Sequence, residues 1–388
     1  MKIVIALDSF KGSCSVKAAC QSVANGFQRV SKNLDLSLLP VSDGGEGLLE
    51  ALEHSSVLKD VQQHQFICTG PYGQTIESKL LTLAGNIGVI ELAECCGLEL
   101  TPKTERNPEH ASSYGLGQAV KKAMDLGCTK IIIGLGGSAT NDGGAGFAQA
   151  LGAEFYSAGK QRISRPITGG DLISLESIEI NGLDERIKHI DFYASCDVTN
   201  PLLGPTGATY VYGGQKGATG VALDRLEAGM RHYAHLMHQV YGKDCANEPG
   251  AGAAGGMGAA LKWFLSAKLD SGIALVLSLI GAESYIRQAD LVIVGEGRLD
   301  SQSANGKAPV GVARMARKHG VPVVAICGGY SEDSTALYDE GISAMWSICP
   351  GPVTLEEAMK NGEKNIANTA ENLLRTILPF SKSEKSNL

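Results

Sequence analysis

The chain has 388 residues, of which 44% are hydrophobic and 19% are charged, and its formal net charge is −7. This composition is typical of a globular protein with more than one domain and excludes an intrinsically disordered chain. An acidic balance without a basic block also excludes nucleic-acid binding, because neutralising phosphates requires a basic surface.

Apolar runs and cysteine spacing bear on location. The longest apolar run, around Ile273 to Ile280, is too short to cross a membrane, and Asp8 ends the N-terminal apolar stretch before it reaches the length of a signal sequence. The ten cysteines show no zinc-binding spacing, which indicates free thiols in a reducing compartment. We therefore expect a cytoplasmic protein with no membrane partner.

The N-terminal segment predicts two consecutive strand–helix units. Ile3–Leu7 has the composition of a buried strand and ends in the loop Asp8–Ser13, after which Ser15 is placed to cap a helix. Leu36–Val41 predicts a second strand, which ends in the glycine-rich acidic loop Ser42–Gly47. Strand–helix units with polar loops at the strand ends are typical of a doubly wound sheet.

The middle of the chain is more mixed. Phe66–Thr69 and Thr75–Leu83 alternate apolar and polar residues on either side of a turn, which predicts a hairpin. Helices are predicted from Ser112 to about Leu126, from Leu223 to about Tyr241, and around Trp263. Further short strands are predicted at Val89–Leu92, Ile131–Ile133 and Asp191–Ser195.

The C-terminal part returns to the pattern of the N-terminus. Leu291–Val294 predicts a buried strand that leads into the polar loop Gly295–Asp300, and a helix is predicted after Lys307. Leu355–Leu378 predicts a long last helix. Two more strands are predicted at Val321–Ile326 and Ile342–Ile348.

These elements predict an α/β fold with two domains. Residues 1–62 plus 290–380 are expected to form a Rossmann-like domain, doubly wound, with a mostly parallel sheet and discontinuous in sequence. Residues 63–289 are expected to form an inserted mixed α/β domain, and residues 381–388 a polar tail.

The stretch Ile131–Gly146, IIIGLGGSATNDGGAG, places six glycines among Ser, Thr, Asn and Asp directly after a buried strand. Ligands bind at the carboxyl ends of parallel strands, and a backbone without Cβ atoms lets N–H groups approach a phosphate or carboxylate closely. The alternative is a tight turn that merely needs positive φ, and this stretch has more glycine than such a turn requires.

Five predicted strand ends carry acids or cations beside glycine. A site holding carboxylates, a few cations and many backbone amides suits phosphoryl transfer, because carboxylates bind Mg²⁺ while cations and amides hold phosphates. For any single loop, a helix N-cap is an equally good explanation. The residues concerned are Asp8 and Lys11, Asp43 and Glu46, Asn141 and Asp142, Asp197 and Asn200, and Glu296, Arg298 and Asp300.

Two other functions remain open at this point. Gly134–Ala139 fits the dinucleotide pattern G-x-G-x-x-A, and Glu154 follows at roughly the spacing of a ribose-binding acid, which would suit an NAD(P)-dependent hydroxy-acid dehydrogenase. The run Asn141–Gly144 argues against this, because it would fall inside the helix that should face the pyrophosphate. A non-catalytic anion-binding protein is the third possibility.

Six motifs, in the same order and over nearly the whole chain, resemble the bacterial glycerate kinases of the first class. The resemblance implies a cytoplasmic enzyme that phosphorylates D-glycerate with MgATP, and the family's usual product is 2-phosphoglycerate. It also implies two α/β domains, one of them Rossmann-like, with the active site in the cleft between them. The motifs are DSFKGS (Asp8–Ser13), SDGGEG (Ser42–Gly47), GLGGSATNDGGAG (Gly134–Gly146), CDVTNPLLGP (Cys196–Pro205), GAAGGMGA (Gly252–Ala259) and GEGRLD (Gly295–Asp300).

Individual roles are assigned from side-chain chemistry. For the base, Asp197 is favoured narrowly over Asp43 and Asp300, because it follows a buried and therefore rigid strand. The predicted partners are D-glycerate, ATP and Mg²⁺, and a homodimer is compatible with the sequence. The assigned residues are Asp197, Lys11 and Asp300 as catalytic; Arg298, Ser13, Asn200 and Asp8 as substrate-binding; Gly136, Gly137, Ser138, Asn141, Gly255 and Gly256 as nucleotide-binding; and Asp43, Glu296 and Asp142 as metal ligands.

Overall fold

The structure is a computed structural model that describes residues 1–383. The strands are β1 (Lys2–Leu7), β2 (Asp35–Leu38), β3 (Gln62–Thr69), β4 (Thr75–Leu83), β5 (Ile87–Glu91), β6 (Lys130–Gly134), β7 (Glu154–Ser157), β8 (Gln161–Arg162), β9 (Leu175–Glu179), β10 (Asp191–Ser195), β11 (Lys268–Asp270), β12 (Leu291–Leu299), β13 (Val323–Tyr330) and β14 (Ala344–Ser347). The helices are α1 (Val16–Val30), α2 (Leu48–Glu53), α3 (Ala93–Cys96), α4 (Tyr114–Asp125), α5 (Ala145–Ala150), α6 (Ala208–Tyr212), α7 (Val221–Tyr241), α8 (Ala253–Leu265), α9 (Gly272–Leu279), α10 (Ala282–Ile286), α11 (Ala308–Lys318), α12 (Leu355–Lys360) and α13 (Gly362–Ser383).

The chain forms two compact units, each discontinuous in sequence. The first unit comprises Met1–Asp43, Glu50–Leu58 and the chain from Ile273 onwards, and the second comprises Gly44–Leu49 and Lys59–Gly272. The domain boundaries drawn from the sequence stay a prediction. Within the described residues, no helix is both long and apolar enough to span a membrane.

The first unit is built on a five-stranded parallel sheet in the order β14-β13-β12-β1-β2. Numbered within the unit, this is the doubly wound order 2-1-3-4-5, in which the direction of winding reverses between β1 and β12. Ile3, Ile5 and Leu7 on β1 are fully buried, and Ser15 caps α1 by accepting a hydrogen bond from Ala18 N at 3.3 Å. The predicted parallel α/β architecture is confirmed.

The second unit contains a six-stranded sheet in the order β11-β10-β6-β5-β4-β3. β5, β6, β10 and β11 pair in parallel, and the predicted hairpin of β3 and β4 joins them antiparallel. A separate three-stranded antiparallel sheet has the order β8-β7-β9. Phe147, Phe155 and Tyr233 are fully buried in this unit's core.

Several elements differ from the sequence prediction. β12 runs on to Leu299, so residues predicted as a loop belong to the strand. The predicted last helix is two helices, because Asn361 leaves helical geometry and Gly362 packs so closely on Ser13 that a Cβ there would lie 2.0 Å from the Ser13 hydroxyl. The sequence prediction did not include the sheet of β7–β9, the strand β11 or the helices α9 and α10. Of the predicted tail, residues 381–383 belong to α13, and 384–388 lie outside the described residues.

Candidate active site

The first unit contains a cavity of about 490 Å³ at the carboxyl end of its parallel sheet. It lies beside the ends of β1 and β12, where the winding reverses and ligands of doubly wound sheets bind. Its charged and hydroxyl-bearing lining residues are Asp8, Ser9, Lys11, Ser13, Asp43, Glu296, Arg298 and Lys307.

Asp8, Asp43 and Glu296 form an acid cluster on this cavity. Asp8 directly follows β1, and its backbone N donates to Gly295 O on β12 at 2.8 Å. Val41 N donates to Leu7 O at 3.0 Å, which continues the pairing beside β1 almost to Asp43. Strand pairing therefore fixes the backbone beneath the acid cluster.

The pKa values of two acids in the cluster, Asp8 and Glu296, are raised. Burial raises the pKa of Asp8 to about 7, and the neighbouring charges of Asp43 and Glu296 add to the effect, against a hydrogen bond from Ser9 N and the charge of Lys11. Burial also raises the pKa of Glu296, although Lys307 counteracts it. Raised carboxyl pKa values in a cavity are typical of a functional site.

Three cations line the same cavity: Lys11, Arg298 and Lys307. Lys307 Nζ lies 3.6 Å from Glu296 Oε2 and 3.9 Å from Asp300 Oδ1. The Arg298 side chain is 74% exposed, and its Nε lies 3.9 Å from Asp300 Oδ2, beyond hydrogen-bond distance. The cations therefore remain accessible to an anionic ligand.

Gly297, Gly328 and Gly329 form a glycine patch at the ends of β12 and β13. A Cβ on Gly328 would lie 2.4 Å from Gly297 O, so glycine is required there for packing. A Cβ on Gly297 would meet nothing closer than 3.7 Å, and one on Gly329 would meet nothing within 4 Å. Open space beside two backbone segments lets a ligand approach the peptide groups closely.

Ile348, Leu355, Ala358 and Met359 form an apolar wall of the cavity. Leu355 is the first residue of α12 and is 76% exposed. Ser13 Oγ donates to Met359 O at 2.6 Å and so ties α12 to the loop that carries Lys11. The cavity thus combines charged groups, accessible backbone and an apolar surface.

The acid cluster is compatible with Mg²⁺ without forming a complete cage. In the described part of the chain, no three His, Cys, Asp or Glu side chains stand together as a ready-made metal site. Mg²⁺ is usually held by one or two carboxylates together with waters and substrate phosphates. The charges of Asp43 and Glu296 help to raise the pKa of Asp8, and a divalent cation at the cluster would relieve that repulsion.

Six of the residues predicted for the site line this cavity together. They are Asp8, Lys11 and Ser13 of the first loop, Asp43 of the second, and Glu296 and Arg298 of the fifth. Asp300 caps the short 3₁₀ helix Ser301–Asn305: its carboxylate accepts from Ser303 N at 3.2 Å, and its own backbone N donates to Ser303 Oγ at 3.2 Å. This capping gives Asp300 a structural explanation and leaves its catalytic assignment a prediction. The Ser13 hydroxyl is likewise engaged by Met359 O.

The third predicted loop lies in the second unit, where Asp142 is fully buried. Its carboxylate accepts four hydrogen bonds, from Ser113 N and Oγ, Gly144 N and Gly146 N, at 2.7–3.2 Å. Burial raises its pKa, although those hydrogen bonds oppose the shift. These hydrogen bonds give Asp142 a structural explanation, and its assignment as a metal ligand stays a prediction.

The predicted nucleotide-binding residues of the second unit are packed against protein. Asn141 is fully buried, and its Nδ2 donates to Thr209 Oγ1 at 3.1 Å. Ser138 Oγ donates to Ala254 O at 3.3 Å. At each of the four glycines predicted to bind the nucleotide, an added Cβ would lie 2.0–2.7 Å from another atom of the second unit, so close packing accounts for glycine there. The contacts are Gly136 with Gly45, Gly137 with Glu46, Gly255 with Thr140 and Gly256 with Gly143.

The dinucleotide pattern lacks its structural context. A dinucleotide fingerprint needs the glycines to open a helix whose N-terminus faces the pyrophosphate. β6 ends at Gly134, the chain then runs through residues 135–139 as a loop, and α5 begins only at Ala145. Gly134–Ala139 therefore does not form a dinucleotide-binding turn.

The fourth predicted loop also lies in the second unit. Asn200 uses both ends of its amide, donating to Thr206 O at 2.8 Å and accepting from Tyr212 OH at 2.7 Å. Asp197 is exposed, and its Oδ1 accepts from Gly272 N at 3.1 Å, at the start of α9. The geometry gives Asn200 a structural explanation and leaves the assignment of Asp197 as the base a prediction.

The sequence prediction missed Lys307, the glycine patch and Glu91. Lys307 is the N-cap residue of α11, a position where a cation is electrostatically unfavourable. A lysine just before a predicted helix was therefore the sequence feature that could have identified it.

Glu91 is the last residue of β5. Its carboxylate accepts hydrogen bonds from Gly47 N and Leu49 N at 3.0 and 3.2 Å, which fixes the start of α2. Burial raises the pKa of Glu91 to about 7 despite these hydrogen bonds.

Comparison with known proteins places this geometry in a family. The family model "Glycerate kinase family" matches residues 3–378. The chain is 43% identical over 378 residues to a glycerate kinase of Bacillus subtilis, covering 97% of this chain and 98% of that protein, and 42% identical to the glycerate 2-kinase of Escherichia coli, with 97% and 98% coverage. A crystal structure named for glycerate kinase 2 of Salmonella typhimurium LT2 superposes with a TM-score of 0.87 at 40% identity, covering 98% of this chain and 99% of that one. The resemblance expected from the sequence motifs is confirmed, and the chain is an enzyme that belongs to the glycerate kinase family.

Proposed function

We propose that this protein transfers the γ-phosphoryl group of MgATP to D-glycerate and forms 2-phosphoglycerate. Membership of the glycerate kinase family supports the acceptor, and the similarity to a relative named glycerate 2-kinase supports the position. The observation that carries the proposal is the first unit's cavity, where the acid cluster, three cations and accessible backbone lie together.

A cytoplasmic location and a homodimer belong to the same proposal. All ten cysteines are unpaired thiols, which is consistent with a reducing compartment.

Carboxylates and cations in the cavity have separate tasks. Asp43 and Glu296 would hold Mg²⁺, which would neutralise charge on the β- and γ-phosphates. Lys11 and Lys307 would bind phosphate oxygens as point charges. The exposed guanidinium of Arg298 suits a planar carboxylate, which it can bind through two parallel hydrogen bonds, and we assign it to glycerate.

The hydroxyl proton of glycerate needs an acceptor, and two carboxylates are candidates. Asp197 is the base favoured by the sequence. Asp8 lies in the acid cluster with its pKa raised to about 7, near the value that suits a general base at neutral pH. The variants Asp8→Asn and Asp197→Asn distinguish them, because the base is the one whose loss lowers kcat while the Kd of MgADP stays unchanged.

The proposal is tested by a coupled ADP-release assay with D-glycerate and ATP, with phosphorus NMR of the product. We expect ADP release that requires both D-glycerate and Mg²⁺, and a resonance of 2-phosphoglycerate. A nicotinamide absorbance assay on the same sample tests the dehydrogenase alternative. Absence of ADP release with D-glycerate would refute the proposed activity, and a 3-phosphoglycerate resonance would refute the proposed position.

A further inference from the structure

The cavity of the first unit is larger than D-glycerate, the proposed phosphoryl acceptor, requires. Its volume is about 490 Å³, within the range of ~300–1,000 Å³ that holds a drug-sized ligand. D-Glycerate has only three carbons, and almost all of its surface is polar. The cavity therefore has room for a second, larger molecule beside the acceptor.

The apolar wall is continuous with the glycine patch. Cys349 follows Ile348 of the wall, and its Sγ donates to Gly328 O at 3.2 Å. On the strand β12, Gly297 O lies beside Gly328. One path along the cavity thus leads from an apolar surface, over accessible backbone, to Glu296 of the acid cluster.

The apolar wall also adjoins the loop that carries Lys11. Gly12 has a φ of +76°, and an added Cβ there would lie 2.4 Å from Met359 Cε. Met359 therefore sits directly on the loop beside Lys11. A ligand resting on the wall would have a cation within reach at its polar end.

Leu355 has no packing role that explains it. It begins α12 and is 76% exposed, yet it lines the cavity. Exposed apolar side chains grouped at the rim of a cavity mark a binding surface. A molecule with an apolar, flat part and a polyanionic part would match both halves of the cavity.

We propose that the apolar wall binds the base of the phosphoryl-donating nucleotide, with the triphosphate lying along the glycine patch toward the acid cluster. This inference rests on the proposed function. The nucleotide site is then in the first unit and not at the glycine loops of the second unit that the sequence suggested. At those loops, neighbouring atoms already occupy the space beside Gly255 and Gly256. Lys11 and Lys307 then hold the phosphates at the end of the path that leads from the base.

The test compares Leu355→Gln with Val353→Gln. Leu355 is exposed at the first position of α12, so glutamine there does not disturb the core. Val353 is 45% exposed two residues earlier and does not line the cavity, which makes it the matched control. Binding of ADP and of inorganic tripolyphosphate, each with Mg²⁺, is measured by calorimetry, and KM is measured for ATP and for D-glycerate.

We expect Leu355→Gln to raise the Kd of ADP about five- to tenfold, the effect of losing part of one apolar contact. Tripolyphosphate has no base, so its Kd should not change, and neither should the KM of D-glycerate. Val353→Gln should match the wild type throughout. Equal ADP affinity in both variants, or a higher KM for D-glycerate alone, would overturn the inference.

The two proposals fail in different measurements. ADP binding does not depend on turnover. The effect of Leu355→Gln on the Kd of ADP therefore tests whether the apolar wall binds the base, even if the protein fails to phosphorylate D-glycerate. Absence of turnover in the wild type refutes the proposed function only. Normal turnover with unchanged ADP binding in Leu355→Gln refutes the location of the base only.

Discussion

The buried carboxyl group of Asp8 lowers the stability of the fold at neutral pH. Burial and the charges of Asp43 and Glu296 raise its pKa to about 7 in the folded protein. In the unfolded chain an aspartate titrates at about 4. The folded state therefore binds the Asp8 proton more tightly, and the free energy of unfolding falls as the pH rises from about 4 to 7.

The first prediction follows from this difference. Asp8→Asn removes the charge that is unfavourable above pH 7, so the variant should have a higher Tm than the wild type at pH 8, by on the order of 2–4 °C. Below pH 4 the carboxyl is protonated in both states, and the two Tm values should converge. Differential scanning calorimetry at both pH values, without Mg²⁺, measures the effect.

The exposed acid Asp35, at the start of β2, supplies the control. Asp35→Asn should not reproduce the gain in Tm at pH 8. A lower Tm of Asp8→Asn at pH 8 would mean that the Asp8 carboxylate stabilises the fold, contrary to the repulsion described. Adding Mg²⁺ should raise the Tm of the wild type more than that of the variant, because a bound cation relieves the same repulsion.

The sequence alone did not separate acids that line the cavity from acids that are hydrogen-bonded within the fold. Asp8 and Asp142 both follow buried strands and stand beside glycine or serine, and the sequence predicted a site role for each. The structure gives Asp142 four backbone and side-chain donors within the second unit. Two of these donors come from Ser113, which is 29 residues away in sequence, so local spacing cannot show how completely the carboxylate is satisfied.

At the scale of the element, α11 begins with a charge of the unfavourable sign. Lys307 is its N-cap residue, although the N-terminus of a helix carries partial positive charge. The carboxylates of Glu296 and Asp300 lie 3.6 and 3.9 Å from Lys307 Nζ, and at these distances they offset the unfavourable charge only in part. An anionic ligand in the cavity would complete the compensation.

Lys307→Gln tests this reading of α11. Stability should change little, because removing a cation from a helix N-terminus is favourable while losing the 3.6 Å contact with Glu296 is unfavourable. The kcat/KM for ATP should fall about tenfold or more, the scale of a lost charge-assisted contact to phosphate. Chemical denaturation and steady-state kinetics on the same preparation measure both effects.

The matched control, Lys318→Gln, lies at the opposite end of α11. Lys318 is exposed in the last turn, where its charge favours the helix. This variant should lose a few tenths of a kcal/mol at most and keep normal kinetics. Normal kinetics in Lys307→Gln would assign Lys307 to the Glu296 ion pair alone.

Elements with strong patterns were predicted well from sequence. The strand Asp191–Ser195 was placed at its bounds, and the β3–β4 hairpin and α1 with its Ser15 cap were found. The sheet of β7–β9 was missed because its strands are short and mostly polar outside Phe155, leaving no periodicity to read. The break at Asn361 depends on the contact of Gly362 with Ser13, which is distant in sequence.

At the scale of the whole molecule, each unit has its own hydrophobic core. The first unit's core gathers around β1, α1 and α13, and the second unit's around β6, α5 and α8. The chain has two tryptophans, one in each unit. Trp346 on β14 is 37% exposed, whereas Trp263 on α8 is 4% exposed and packs edge-on against Tyr233 at 6.0 Å.

The tryptophans allow the units to be followed separately. In Trp263→Phe the remaining Trp346 reports the first unit, and in Trp346→Phe the buried Trp263 reports the second. Trp346 does not line the cavity, so both variants should bind MgADP normally. Urea unfolding followed by fluorescence then gives one transition for each unit, and we expect different midpoints because the cores are separate.

MgADP should act on these transitions unequally. A ligand that binds only the folded first unit stabilises it by about 2.7 kcal/mol at a hundred times its Kd. The transition reported by Trp346 should therefore move to higher urea, while that reported by Trp263 stays near its position without ligand. If Trp263 reports the larger shift, the nucleotide binds in the second unit, and the glycine loops around Gly136 and Gly255 must be reconsidered as its site.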